Sequence, residues 1–121
     1  MAEKILIVED EAIIRKNIAE VLRMQGYQIL EACNGVEAVD LFTNQRIDLL
    51  ISDLIMPQVD GLQLVERIQA QSPKTPVILV TAYLSRKSET QGSPGLVEVL
   101  TKPVDLEILV AKVKRLLRRS V

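Results

Sequence analysis

The chain contains no histidine and no tryptophan, a single cysteine, and three aromatic side chains, Tyr27, Phe42 and Tyr83. Each shortage excludes a class of chemistry. Without histidine, neither a Ser-His-Asp nor a Cys-His nucleophile system can be built. Cys33 has no second cysteine to pair with, so there is no intramolecular disulfide, and a Cys/His metal site is excluded. Gly and Pro number only five each, too few for a low-complexity or disordered chain. No apolar run approaches the ~20 residues of a membrane span. The formal net charge is −1, with no excess of basic residues to hold nucleic acid or an anionic membrane. Arg118 and Arg119 read as helix-end charges rather than a nucleic-acid patch.

What is present fits one globular domain over residues 1–121, with 48% apolar and 26% charged residues. A chain of this length buries roughly two-thirds of its unfolded surface and needs no covalent or metal staple. It enters an apolar run by Lys4, which leaves no room for a signal peptide, so a cytoplasmic protein is expected.

Three continuous apolar runs, Ile5–Val8, Leu49–Ser52 and Val77–Val80, suit parallel strands covered on both faces. Two mixed runs, Tyr27–Glu31 and Val97–Leu100, suit edge strands. Helical periods lie between them. Ile14, Ile18, Val21 and Leu22 share one face, with Gly26 as a stop. Asn34 is placed to cap a second helix with Glu37 as its reciprocal partner, and Ala38, Leu41 and Phe42 face inward. Asp60 and Asp105 are placed to cap two more. Strand–helix alternation predicts a doubly wound α/β domain with a five-stranded parallel sheet, and its edge strands favour the order 2-1-3-4-5. The connection before the last strand is the exception. Ser85–Gly95 has no apolar residue, so a fourth helix there is expected to be short, irregular or mobile.

Sites in open parallel sheets form beyond the carboxyl ends of the strands, at the switch point in strand order. Glu9 and Asp10 follow the first strand, Asp53 the third, Thr81 the fourth, and Thr101, Lys102 and Pro103 the fifth. Asp53 ends a core strand on a charge that is costly to bury unpaired. Three carboxylates and one ammonium sum to −2. Like charges ~4 Å apart repel by about 4 kcal/mol at an effective dielectric of 20. Such an all-oxygen cluster suits Mg²⁺, and a metal there would draw in a phosphoryl group. Glu9 and Asp10 are equally placed to cap the first helix, and Cys33 is expected to be a buried or half-buried small residue.

These positions carry four motifs: "VED" (Val8–Asp10), "SDLIMPQVDG" (Ser52–Gly61), "VTA" (Val80–Ala82) and "TKP" (Thr101–Pro103). In order and spacing they resemble the receiver domain of two-component response regulators, the CheY-like phosphorelay modules. Receivers share the strand order 2-1-3-4-5, so that order is not independent support. The resemblance implies a signalling phosphoprotein that is not an enzyme on other substrates and assists only its own phosphotransfer and dephosphorylation. Asp53 would be the phosphoacceptor. Asp10, Asp53 and the backbone carbonyl of Ile55 would hold Mg²⁺, with Glu9 reaching it through water. Thr81 would be the switch hydroxyl, and Lys102 would contact the phosphoryl group, ahead of a cis Lys102–Pro103 bond. The donor would be a histidine kinase or a histidine phosphotransfer protein, and the downstream target is not implied.

The chain departs from the family pattern at Val99, where receivers usually carry the switch Tyr or Phe. Order–disorder of residues 84–96 then becomes the expected switch, and Ile55 and Tyr83 are expected to rim the pocket and slow attack by water. The alternative functions are a phosphorylation-independent interaction module of the same fold, a flavodoxin-like cofactor binder, and a metal-dependent phosphatase. The acidic "EDEA" after the first strand argues against the cofactor binder, since it would repel a bare phosphate.

Overall fold

The computed structural model describes residues 2–54, 61–82 and 97–118. In chain order the elements are β1 (Lys4–Val8), α1 (Ala12–Met24), β2 (Gln28–Ala32), α2 (Gly35–Asn44), β3 (Leu49–Asp53), α3 (Gly61–Gln71), β4 (Val77–Thr81), β5 (Val97–Thr101) and α4 (Leu106–Arg118). All five strands are parallel, in the order β2-β1-β3-β4-β5. The expected segment Ser85–Gly95, the cap at Asp60, and Ile55 and Tyr83 lie outside the described residues.

The central strands are continuous apolar runs because both faces are covered. Alternate residues point to opposite faces. Leu6, Val8, Leu50, Val77 and Leu79 pack with Ala38 and Phe42 of α2 and with Leu64, Val65 and Ile68 of α3. Ile5, Ile7, Leu49, Ile51, Ile78 and Val80 pack on the other face with Ile18, Ala19 and Leu22 of α1 and Leu109, Val113 and Leu116 of α4. Each fully buried aliphatic side chain stabilises the fold by about 1.5–3 kcal/mol relative to exposure. The two layers therefore hold the strand ends, and whatever follows them, in a fixed frame. No described helix is long and apolar enough to cross a membrane.

The helix ends are set locally. The Asn34 side chain accepts the Glu37 N–H at 2.8 Å. Glu37 does not complete the expected reciprocal pair; its Oε2 lies 3.6 Å from the Cys33 thiol. Asp105 Oδ1 accepts the N–H groups of Glu107 and Ile108 at 2.9 and 3.2 Å and starts α4. Helix α1 differs from the expectation. Its N-cap is Glu11, with no side-chain cap bond, so neither Glu9 nor Asp10 caps it.

Two further expectations are corrected. The second strand begins at Gln28, one residue later than Tyr27. Gly26 turns at φ +96°, and the Tyr27 N–H returns to the Leu22 carbonyl of α1 at 3.4 Å. Tyr27 therefore belongs to the helix stop, and the ladder opens with Gln28 N–H on the Glu3 carbonyl at 2.9 Å. Cys33 is exposed rather than buried, because it falls in the turn between β2 and the Asn34 cap.

Candidate functional site

The strand register assembles the site. Val8 pairs with Ser52 between β1 and β3, so the next residues, Glu9 and Asp53, leave the sheet side by side. Asp53 pairs with Val80, and Thr81 with Thr101 immediately before Lys102. Backbone bonds continue past the strand ends. Glu9 N–H donates to the Ala32 carbonyl at 3.1 Å, Leu54 N–H to Val80 at 2.8 Å, and Lys102 N–H to Thr81 at 2.8 Å. The Lys102–Pro103 peptide is cis, as the resemblance implied.

Lys102 Nζ donates to Asp53 Oδ2 at 3.0 Å and to Glu9 Oε1 at 3.3 Å. Asp53 is only 8% exposed, Glu9 3% and Thr81 1%. Oxygens of Glu9, exposed Asp10 and Asp53 all lie within 4.8 Å of one another. The structure thus brings together Glu9, Asp10, Asp53, Thr81 and Lys102. Thr101 ends β5 exposed. Val99 is half-buried and packs on the core between the sheet and α3. Ile55 is outside the described residues.

The electrostatics show excess negative charge. Burial, and then the charge and hydrogen bonding of Asp53, push the Glu9 carboxyl up to about 7, although Lys102 opposes this. Burial tends to lower the Lys102 ammonium's pKa, but Asp53 and Glu9 outweigh it and hold Lys102 above its ordinary value. Among the described residues, one ammonium does not neutralise two buried carboxylates and a third at the rim. Oxygen-only donors this close fit a hard divalent cation such as Mg²⁺.

A pH prediction arises here. Folded Glu9 holds its proton to about pH 7, against an ordinary value of 4.5. The stability this group contributes to the metal-free protein is therefore full below its unfolded value and lost as pH rises through the folded one. Thermal unfolding in EDTA should show a fall on the order of 2 kcal/mol from this group between about pH 5 and pH 8. Glu9→Gln should flatten that slope, and an unchanged slope would remove Glu9 as its source.

Sequence reasoning missed the guanidinium of Arg15, whose Nη1 donates to the Glu9 carbonyl at 2.8 Å. It also assigned no separate role to Gly61, the last residue of the "SDLIMPQVDG" motif. A Cβ at that position would stand 2.6 Å from the Asp53 carbonyl oxygen and 2.7 Å from Leu54 Cα. The first turn of α3 thus rests directly on the backbone that carries Asp53.

Comparison with known proteins identifies the family. A family model described as the response regulator receiver domain matches residues 5–114. Response regulator MprA of Mycobacterium sp. (strain KMS) is 35% identical over 121 residues, covering 99% of this chain and 53% of that protein. The chain therefore spans about half the length of the curated relatives it matches. The receiver domain of a signal transduction histidine kinase from Syntrophus aciditrophicus superposes with a TM-score of 0.87 at 37% identity, over 97% of this chain and 91% of that one. A CheY-like receiver domain protein from Methanospirillum hungatei gives a TM-score of 0.91 at 26% identity, over 98% and 96%. The chain belongs to the response regulator receiver domain family of two-component signalling.

Proposed function

We propose that this receiver accepts a phosphoryl group on Asp53 from a phosphohistidine of a histidine kinase or histidine phosphotransfer protein, and that the whole of residues 1–121 serves as that one cytoplasmic module. The observation that carries the reading is Lys102 Nζ held between the buried carboxylates of Asp53 and Glu9. A carboxylate at a strand terminus is ordinary. A nearly buried one that shares the Lys102 ammonium with a second carboxylate, beside a third, is arranged for charge that arrives from outside.

In the transfer the P–N bond of the donor breaks and a P–O bond forms to an Asp53 carboxylate oxygen. The electron pair stays on the histidine nitrogen. Lys102 would then move part of its hydrogen bonding from the carboxylate to the new phosphoryl oxygens, and Thr81 supplies a hydroxyl on the adjacent strand. Asp10 and Asp53 are the residues to hold Mg²⁺ directly, together with the Ile55 carbonyl, and Glu9 would reach it through water. Bound there, the ion would neutralise the cluster and offset the charge of the incoming group. The chain would act on its own Asp53 and on no separate substrate. Half-buried Val99, in place of an aromatic ring, would be the switch position beside Thr81.

The test is intact mass after incubation with Mg²⁺ and acetyl phosphate. A phosphoryl adduct is expected, and it should be absent with EDTA. A folded protein that gains no adduct from acetyl phosphate or from phosphohistidine donors would favour a phosphorylation-independent interaction module.

A further inference from the structure

Arg15 lies near the start of α1 with its side chain only 14% exposed. Its Nη1 donates to the Glu9 carbonyl at 2.8 Å, and its Nε donates to Glu31 Oε1 at 3.1 Å. Glu31 stands on β2 opposite Ile7 of β1. It is braced in turn by Arg23 at 3.3 Å and Lys16 at 3.9 Å. Burial works to raise the Glu31 pKa, but the hydrogen bonds from Arg15 and Arg23 prevail and hold it below the ordinary value. Arg15 is thus anchored at one end on a fixed charge.

Its other end acts on the site. The Glu9 N–H is already tied to the Ala32 carbonyl. With its carbonyl tied to Arg15, the Glu9 backbone is clamped on both sides. That carbonyl belongs to the rigid peptide plane joining Glu9 to Asp10. Holding the plane sets the direction in which Asp10 leaves the strand end. No side-chain cap at Glu11 fixes this turn from the helix side.

We propose that Arg15, braced by Glu31, is a positioning residue for the acidic edge: it holds the Glu9–Asp10 peptide so that the Asp10 carboxylate stays grouped with Glu9 and Asp53. The inference deepens the reading above and rests on it for the metal, while the clamp itself does not depend on it. A plain structural tie between α1 and β2 would leave the acidic edge unaffected. A purely electrostatic role predicts the opposite sign, because removing a nearby cation tightens divalent-cation binding.

The experiment compares wild type, Arg15→Met, Arg15→Lys and Glu31→Gln by Mg²⁺ titration calorimetry and by backbone amide relaxation in EDTA. Arg15→Met should weaken Mg²⁺ binding about tenfold, the scale of losing an outer-shell partner. It should also lower amide order at residues 9–11 while residues 77–81 stay rigid. Arg15→Lys restores charge without the planar fork and should recover only part. Glu31→Gln should fall between wild type and Arg15→Met. Unchanged or tighter Mg²⁺ binding with unchanged amide order would overturn the proposal. If Arg15→Met does not fold, Glu31→Gln decides by the same two readouts. If the wild type binds no Mg²⁺, the metal reading fails, and amide order at residues 9–11 still decides the role of Arg15.

Discussion

Asp53→Asn is expected to take up no phosphoryl group from acetyl phosphate, and in EDTA it is expected to unfold at a higher temperature than the wild type. The two effects have one cause. Asp53 is nearly buried beside Glu9, and the Lys102 ammonium is bonded to both carboxylates. Asn keeps the shape and loses the charge. Among the described residues, Lys102 then pairs with Glu9 alone. Glu9 loses a neighbour that pushes its pKa up, so less of its charge is withheld at neutral pH. Removing the repulsion is worth about 1 kcal/mol, somewhat under one unit of pKa. That corresponds to a rise of roughly 3–5 °C in Tm for a domain of this size. Intact mass and scanning calorimetry on the same sample check both halves. An adduct on the variant would place the acceptor elsewhere, and a lower Tm would mean that the Lys102–Asp53 attraction outweighs the carboxylate repulsion.

Gly61→Ala should be the most damaging small change in the described structure. Helix propensity alone argues the other way, since alanine is favoured over glycine within a helix by up to about 1 kcal/mol. The contact outweighs it. The added Cβ would meet the Asp53 carbonyl oxygen at 2.6 Å, Leu54 Cα at 2.7 Å and the Leu54 carbonyl oxygen at 3.0 Å. These are backbone atoms with no rotamer to change. Leu54 N–H is bonded to Val80, and Gly61 N–H is bonded to the Leu54 carbonyl at 2.7 Å. Either α3 lifts from the sheet or the end of β3 shifts. A loss of about 3 kcal/mol is expected, at the upper end for forcing atoms into packed space. Urea unfolding measures it. Acetyl phosphate uptake should slow as well, because the backbone of Asp53 is what the methyl group presses on. A stabilised variant would show that propensity prevails and that the contact relaxes freely.

The strands were legible because a strand covered on both faces has to be almost wholly apolar, and Ile5–Val8, Leu49–Ile51 and Val77–Val80 are apolar throughout. The carboxylates and Lys102 were legible because charges at the carboxyl ends of the strands are carried to one edge by the parallel order. Tyr27 was misassigned because a β-prone aromatic beside a strand resembles its first residue. Only the positive φ of Gly26 and the bond back to Leu22 show that it closes a helix. Cys33 was misassigned because composition favours buried cysteine, whereas its position between a strand end and a helix cap favours exposure. Arg15 was missed because its partners are a backbone carbonyl and a residue on a neighbouring strand. The strand order places Glu31 beside β1, and an arginine on the first helix that covers that strand was the available signal. Gly61 was missed because close backbone approach leaves no mark in the sequence beyond the glycine itself.

The bond between Lys102 and Glu9 joins residues 93 positions apart in the chain. Glu9 and Asp53 leave the ribosome and can pack long before the lysine that serves them both has been made. During that interval the nascent sheet carries two carboxylates without the Lys102 ammonium, and the edge of β4 that β5 covers is open. The last strand therefore closes the sheet and brings the countercharge in a single docking event. A chain truncated before β5 would present Glu9 and Asp53 without Lys102, the ammonium bonded to both. The acidic edge and its countercharge therefore come together only once β5 has docked beside β4.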